Sequence, residues 1–269
     1  MTAAAAAAPV APAVLAAIGL AACRVAGVAT FAPVVAAASV PVRVRVGLSA
    51  VIAVAALPAI TAAGIPDAAV AEPWRLLPAA AMEFALGAVI GVLAMLPVAA
   101  FRTAGTLVGA QAGIGFGQLY DSGSDPAEGE GDPLGQLLAL LGAACFVWAG
   151  GLDAVALSAL RSFDYVSLGA WMPDRGVLAT VGGAMLASSE LAFRVALPVT
   201  AVLVAESMVS GLVSRAIPGF GPLAFGFPLR VAVALLALLA GAAAMQSAMD
   251  GAISGMLDSM HALAAGGAA

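Results

Sequence analysis

The sequence predicts an all-α, polytopic membrane protein, and three observations carry that prediction. Of 269 residues, 63% are hydrophobic and 9% charged, where a soluble domain is usually about 25% charged and about 45–50% apolar. The mean hydropathy is +1.10. The apolar residues fall into long runs separated by short segments of Gly, Pro and Arg, the pattern of bilayer-crossing helices. About six long apolar helices are expected, plus a glycine-ridge helix that leads into a loop. Residues 10–249 form a single helical domain in this reading, residues 1–9 a frayed Ala-rich terminus, and residues 250–269 a small-residue tail.

Residues 10–40 make a first apolar run, interrupted by Arg24 and Pro33 and read as a span kinked at the proline. Pro41, Arg43 and Arg45 mark a short basic turn. Residues 46–63 are a second span, closed by Gly64-Ile65-Pro66-Asp67. A polar connector leads to a third span, residues 76–101, which carries Glu83 and the four-apart pair Gly87 and Gly91.

The stretch that organises the chain follows, RTAGTLVGAQAGIGFGQLYDSGSDPAEGEGDPLG, from Arg102 to Gly135. Gly105, Gly109, Gly113 and Gly117 fall four apart, so on a helix they form one ridge bare of side chains. Such ridges let a second helix approach at backbone distance. After Tyr120 come Asp121, Asp125, Glu128, Glu130 and Asp132, interleaved with Gly and Pro that forbid a regular helix. A close-packing helix therefore opens into a loop that must meet water or protein.

Residues 134–160 make the next span, with Asp153 late in its course. The loop 161–175 carries Phe163, Tyr165 and Trp171, aromatics suited to a membrane interface. Residues 176–213, some 57 Å if fully helical at roughly 1.5 Å per residue, exceed a hydrocarbon core of about 30 Å. That segment must tilt, break at Pro198, or project from the bilayer. A loop at 215–222 precedes the last apolar run, 223–249. Arg43, Arg45, Arg102 and Arg215 are compatible with one side of the membrane, but Arg161 and Arg175 share a loop with Asp164 and Asp174, so orientation stays open.

Charge and rare residues exclude several functions. The net charge of −5 comes largely from the acidic loop, and no basic run suggests nucleic acid. Cys23 and Cys145 lie in apolar stretches without CxxC or Cys/His neighbours, so no metal or disulfide framework is expected, and no cofactor. His261 is the one histidine and sits near the C-terminus, which leaves a Ser/His protease at Ser188 or Ser189 without its base. No enzyme is expected. Glu83, Asp153, Glu190, Arg194 and Glu206 lie within apolar stretches, each costing about 2.5–3.5 kcal/mol at mid-bilayer unless paired or wet. Glu190 and Arg194 are four apart and can neutralise each other. Glu83 and Glu206 lack a local partner. A subunit interface that supplies an arginine from another chain is preferred for them over an ion relay, because a relay normally gathers several acids on one segment.

Four stretches, taken in order, resemble one family. CRVAGVATFAPVVAAASVPVRVRVGLS, with Arg24, Pro33, Pro41, Arg43 and Arg45, looks like the first-span signature of the FliR/SctT (YscT/HrcT) family, the T/R-type subunit of the type III secretion export gate. FRTAGTLVGAQAG followed by Asp125-Pro126 looks like its central motif, ALPVTAVLV like its kinked helix, and GLVSRAIPGFGPLAFGFPLR like its C-terminal signature. The resemblance implies a structural channel subunit in the bacterial inner membrane, at the base of a flagellum or injectisome. It would assemble with the P/R-type and Q/S-type membrane subunits and meet the larger export gate and switch/autoprotease subunits. Unfolded secreted polypeptides would pass through it. The family's plug maps onto Gly113, Ile114, Gly115, Phe116, Gly117, Gln118, Leu119 and Tyr120. An apolar loop of small residues suits sealing by dewetting, and its glycines suit withdrawal. Gly105, Gly109, Glu83, Arg102, Glu206 and Arg215 are expected at helix-packing or subunit contacts. The alternative reading is a small-molecule or ion-coupled permease using Glu83 and Glu206. Flagellum and injectisome share the motifs, so the sequence leaves that branch open.

Overall fold

A computed structural model describes residues 10–37, 39–63, 73–114, 132–216 and 226–266. Every regular element among these residues is helical. In chain order they are α1 (Val10–Phe31), α2 (Val42–Ala55), α3 (Leu57–Ala63), a 3-10 turn (Pro73–Arg75), α4 (Leu76–Ala112), α5 (Pro133–Trp148), α6 (Gly151–Tyr165), α7 (Arg175–Ala216), α8 (Phe227–Ala240) and α9 (Ala242–Gly266). Helices α1, α4 and α7 are each long and apolar enough to cross a membrane. Up to five spans result when the bent pairs α5–α6 and α8–α9 count as one each. The all-α polytopic class stands, while the boundaries of its spans move.

The expected kink at Pro33 is a helix end. A residue before proline is disfavoured in the α region, and α1 stops at Phe31. Turns follow, with Val34 at φ +70°, a costly left-handed conformation for a β-branched residue. Arg45 holds this turn, donating from Nη2 to the carbonyls of Ala36 (3.0 Å) and Ala37 (2.6 Å). The second span is two helices, α2 and α3, separated at Ala56 just ahead of Pro58. The run 134–160 breaks at Gly150, whose φ of +76° glycine adopts freely. A new helix starts there, so Asp153 lies exposed in the first turn of α6 rather than late inside a span. The positive end of the helix dipole favours a carboxylate at that place.

Of the outcomes open to the long run around Pro198, a break is not the one observed. Helix α7 runs unbroken for 42 residues through Pro198, and α4 for 37 residues through Pro97. At roughly 1.5 Å per residue α7 is about 63 Å long, twice a hydrocarbon core of about 30 Å. The glycine ridge is the last part of α4 and not a separate span. Residues 250–266, expected as a small-residue tail, continue α9.

The chain divides into two compact units. The first comprises Met1–Leu96, Gly150–Met185 and Ser254–Ala269. Its core gathers Leu20, Ala21 and Val25 of α1 with Ala53, Ile60 and Phe163. Helices α1 and α4 meet there at backbone distance. A Cβ on Gly87 would overlap the Arg24 carbonyl, one on Gly27 the Phe84 carbonyl, and one on Gly91 would lie 2.7 Å from the Val28 oxygen. The four-apart pair Gly87/Gly91 is thus a close-packing face. Phe163 and Trp171, expected at a membrane interface, are 2% and 3% exposed, whereas Tyr165 stays open. The second unit comprises Pro97–Ala149 and Leu186–Ile253. Its buried side chains include Phe101 and Val108 of α4, Leu138 and Phe146 of α5, and Leu203 of α7. The Phe101 ring occupies the space a side chain on Gly142 would need, with Cβ 2.7 Å from the ideal Cβ position.

Candidate functional site: the glycine ridge and two ion pairs

In the second unit the ridge receives the start of α5. Gly105 and Gly109 are both buried. A Cβ on Gly105 would come within 2.5 Å of the Leu134 carbonyl oxygen and 2.7 Å of Gly135 Cα. Gly109 is less tight, its nearest neighbours being Asp132 Oδ1 at 3.4 Å and Leu134 Cβ at 3.5 Å. Asp132 is the N-cap of α5, accepting the Gly135 N–H at 2.9 Å. It also accepts the Thr106 hydroxyl at 2.5 Å, which ties the cap to the ridge helix. Pro133 occupies the first helical turn, where its missing N–H costs nothing.

The ridge is shorter than its spacing suggests. Gly113 is not its third member, because α4 stops at Ala112 and Gly113 adopts φ +78°. Left-handed glycine is the common helix terminator, and four-residue spacing carries no information about φ. Gly113 is buried and Ile114 half-buried where the chain leaves α4. Gly115, Phe116, Gly117, Gln118, Leu119 and Tyr120, with the acidic residues 121–131, lie outside the described residues.

In the first unit the buried charge on α4 has its partner within the chain. Arg24 Nε donates to Glu83 Oε2 at 2.5 Å, and both side chains are fully buried. Arg24 Nη1 donates to the carbonyl of Ser162 (2.9 Å) and to its hydroxyl (3.2 Å), and Nη2 to the carbonyl of Val166 (3.1 Å). The guanidinium lies over the Phe163 ring at 4.4 Å. The other Glu83 oxygen accepts the Gly169 N–H at 2.7 Å, where Gly169 turns at φ +74°. One arginine therefore joins α1 to α4 and bonds two carbonyls at the end of α6, that of Ser162, which also accepts the Val166 N–H, and that of the C-cap Val166. An arginine supplied by another chain is not what Glu83 meets here. Arg24 belonged with Glu83 from the outset, since both interrupt apolar runs, but sequence alone offers no way to match them.

Glu206 likewise finds its partner in its own chain. Its side chain is 7% exposed and accepts from Arg230 Nε at 3.2 Å and from the Ser210 hydroxyl at 2.5 Å. Arg230 Nη2 donates to the Ser207 hydroxyl at 2.8 Å, so α7 and α8 are cross-linked in the second unit. Arg102 and Arg215 are exposed. Arg215 sits in the last turn of α7, where the dipole favours a cation. Glu190 and Arg194 pair at 2.7 Å along one exposed helix face, as their spacing implies. Cys23 and Cys145 are free and half-buried.

Comparison with known proteins then fixes the lineage. A family model described as bacterial export proteins, family 1, matches residues 15–256. The chain belongs to that family. Three flagellar biosynthetic proteins FliR are similar to it. That of Escherichia coli (strain K12) is 27% identical over 215 residues, 79% of this chain and 78% of the relative. That of Pectobacterium carotovorum is 26% identical, covering 80% of each. That of Bacillus subtilis (strain 168) is 27% identical, over 65% of this chain and 66% of its own. The four motifs all fall within the matched region, and the FliR/SctT resemblance is borne out. Within this bacterial export protein the central motif coincides with the ridge of α4. The first-span motif supplies Arg24, and the C-terminal signature supplies Arg230.

Proposed function

We propose that this bacterial export protein is a structural channel subunit of the type III secretion export gate in the bacterial inner membrane. In this reading it passes unfolded polypeptides together with the P/R-type and Q/S-type membrane subunits. The observation that carries the reading is the family match over residues 15–256. The flagellar names of the relatives favour the flagellar branch over the injectisome. Residues 113–120 act as the plug. The support from geometry is that α4 is stopped by a left-handed Gly113 directly after a ridge clamped by α5. The chain thus leaves a firmly held helix end through a residue free to turn. The larger export gate and switch/autoprotease subunits dock on the same assembly.

Ion leakage through the assembled gate tests the plug. A variant lacking residues 113–120 is expected to conduct ions in its resting state, and an unchanged seal overturns the assignment. The permease reading relied on two acids without partners. Glu83 and Glu206 are each paired with an arginine of this chain, so that reading loses its argument.

A further inference from the structure

We infer that the first unit carries two kinds of surface at the depth of the membrane: α6 and α9 present a water-facing wall beside the middle of α4, whereas α2 faces lipid. The inference deepens the channel reading, on which it rests, by naming the helices that meet the aqueous path. Residues 76–101 lie between Arg75 and Arg102 and carry one charge, Glu83. At roughly 1.5 Å per residue this stretch of α4 rises about 39 Å, enough to contain a hydrocarbon core of about 30 Å. Leu86 and Ile90 are near its centre, so they stand at the middle of the bilayer.

Polar side chains surround α4 at that depth. Leu86 and Ile90 line one small cleft with Ser158, Arg161 and Tyr165 of α6 and His261 of α9. Arg161, Tyr165 and His261 are exposed, as are Asp164 on α6 and Asp258 one turn before His261 on α9. Arg161 and Asp164 are three apart, and so are Asp258 and His261, so each helix gathers its polar groups on one side. A charged side chain at mid-bilayer is expensive in lipid. Snorkelling offers no escape, because either surface of the core is about 15 Å away, beyond the reach of an arginine stem. The same unit shows what a charge at this level requires when water is absent: Arg24 and Glu83 are fully buried and paired. Arg161, Asp164 and Asp258 are open on their outer sides, so water meets them there.

Helix α2 presents the opposite chemistry. Ala53 belongs to the same core cluster as Phe163, against which Ala79 and Ala80 pack, so the middle of α2 is level with the early turns of α4. Its outward residues there, Val51 and Val54, are 67% and 52% exposed. No charged residue occurs between Arg45 and Asp67. Open apolar side chains of this kind lose in water and gain in lipid. On the α6 and α9 wall both signs of charge occur, so it presents no single-sign field to hold back a passing polypeptide.

The test is thiol accessibility of the full chain in membranes of its native host, in a Cys23→Ala, Cys145→Ala background. Four single variants at exposed positions, Arg161→Cys, His261→Cys, Val51→Cys and Val54→Cys, are treated with a charged methanethiosulfonate supplied to both sides of the membrane. Because the thiolate is the reacting form and needs water, Arg161→Cys and His261→Cys should react about tenfold faster than the two valine variants. All four should react alike after denaturation in detergent. Equal rates at the four positions in the membrane overturn the proposal, since lipid then covers none of them. Protection of Arg161→Cys and His261→Cys also overturns it, whether lipid or another subunit does the covering. Fast labelling of these two, with an unchanged ion seal in the variant lacking residues 113–120, sinks the plug and leaves the wall standing. A leaking deletion variant with Arg161→Cys and His261→Cys unreactive does the reverse.

Discussion

Arg24 and Glu83 form an ion pair with no exposed atom, and between them they reach three further backbone groups, at Ser162, Val166 and Gly169. All of these partners lie within one compact unit, so the pair fastens α1, α4 and the end of α6 to one another.

Breaking this pair from one side is expected to be expensive. Glu83→Leu leaves a buried guanidinium without its counter-charge and the Gly169 N–H without its acceptor, a loss of about 3–5 kcal/mol. The double variant Arg24→Met, Glu83→Leu should be clearly more stable than either single variant, because no charge then stays stranded. Reversible unfolding of the purified protein in mild detergent measures all three. A double variant as unstable as the sum of the singles contradicts the account.

The ridge predicts a contrast between two glycines of identical spacing. Gly105→Ala pushes a methyl into the backbone of Leu134 and Gly135, and overpacking of that kind costs about 1–3 kcal/mol. Gly109→Ala meets its nearest atoms at 3.4 Å and 3.5 Å, and alanine gains about 0.8–1 kcal/mol of helix propensity over glycine. The second variant should therefore melt at or near the wild-type temperature while the first melts lower.

The cap of α5 can be removed without touching the core. Asp132→Ala leaves the Gly135 N–H and the Thr106 hydroxyl without their shared acceptor, and loss of an N-cap costs about 0.5–2 kcal/mol. Asp132→Asn keeps a capping oxygen and should retain most of the stability. Equal losses in the two variants would point to charge rather than capping.

Two acids on α7 should answer very differently to replacement. Glu206 is nearly buried against Arg230 and Ser210, and hydrogen bonds to a charged group are worth about 1.5–3 kcal/mol. Glu190 and Arg194 are both well exposed, and such pairs contribute about 0.3–0.5 kcal/mol. In a melting comparison Glu206→Ala should register clearly and Glu190→Ala should scarcely register.

Local periodicity explains which parts of this fold the sequence revealed. The four-apart glycines at 87/91 and 105/109, and the ion pair at 190/194, are readable because helix geometry brings such positions to one face. Pairing over long separations was not readable. Arg24 meets Glu83 across 59 positions and Ser162 across 138, and no local rule selects those partners among the other buried charges. Helix ends were misjudged where φ decided them, at Gly113 and Gly150. At Pro198, where a break was one of three alternatives, the helix continues: a proline inside a long helix removes one hydrogen bond, and the turns on both sides of it persist. The plug residues from Gly115 to Tyr120 rest on resemblance to the family, since they fall beyond the described part of the chain.

The Arg24 network also has a chronology. A ribosome delivers the chain from its N-terminus, so the guanidinium is made first, its counter-ion 59 residues later and its carbonyl partners only after 138. Until Glu83 follows, the nascent first helix carries a bare positive charge in an otherwise apolar stretch. That helix settles into its final place only once α6 has been synthesised, which makes the middle of the message the point at which the beginning of the protein becomes stable.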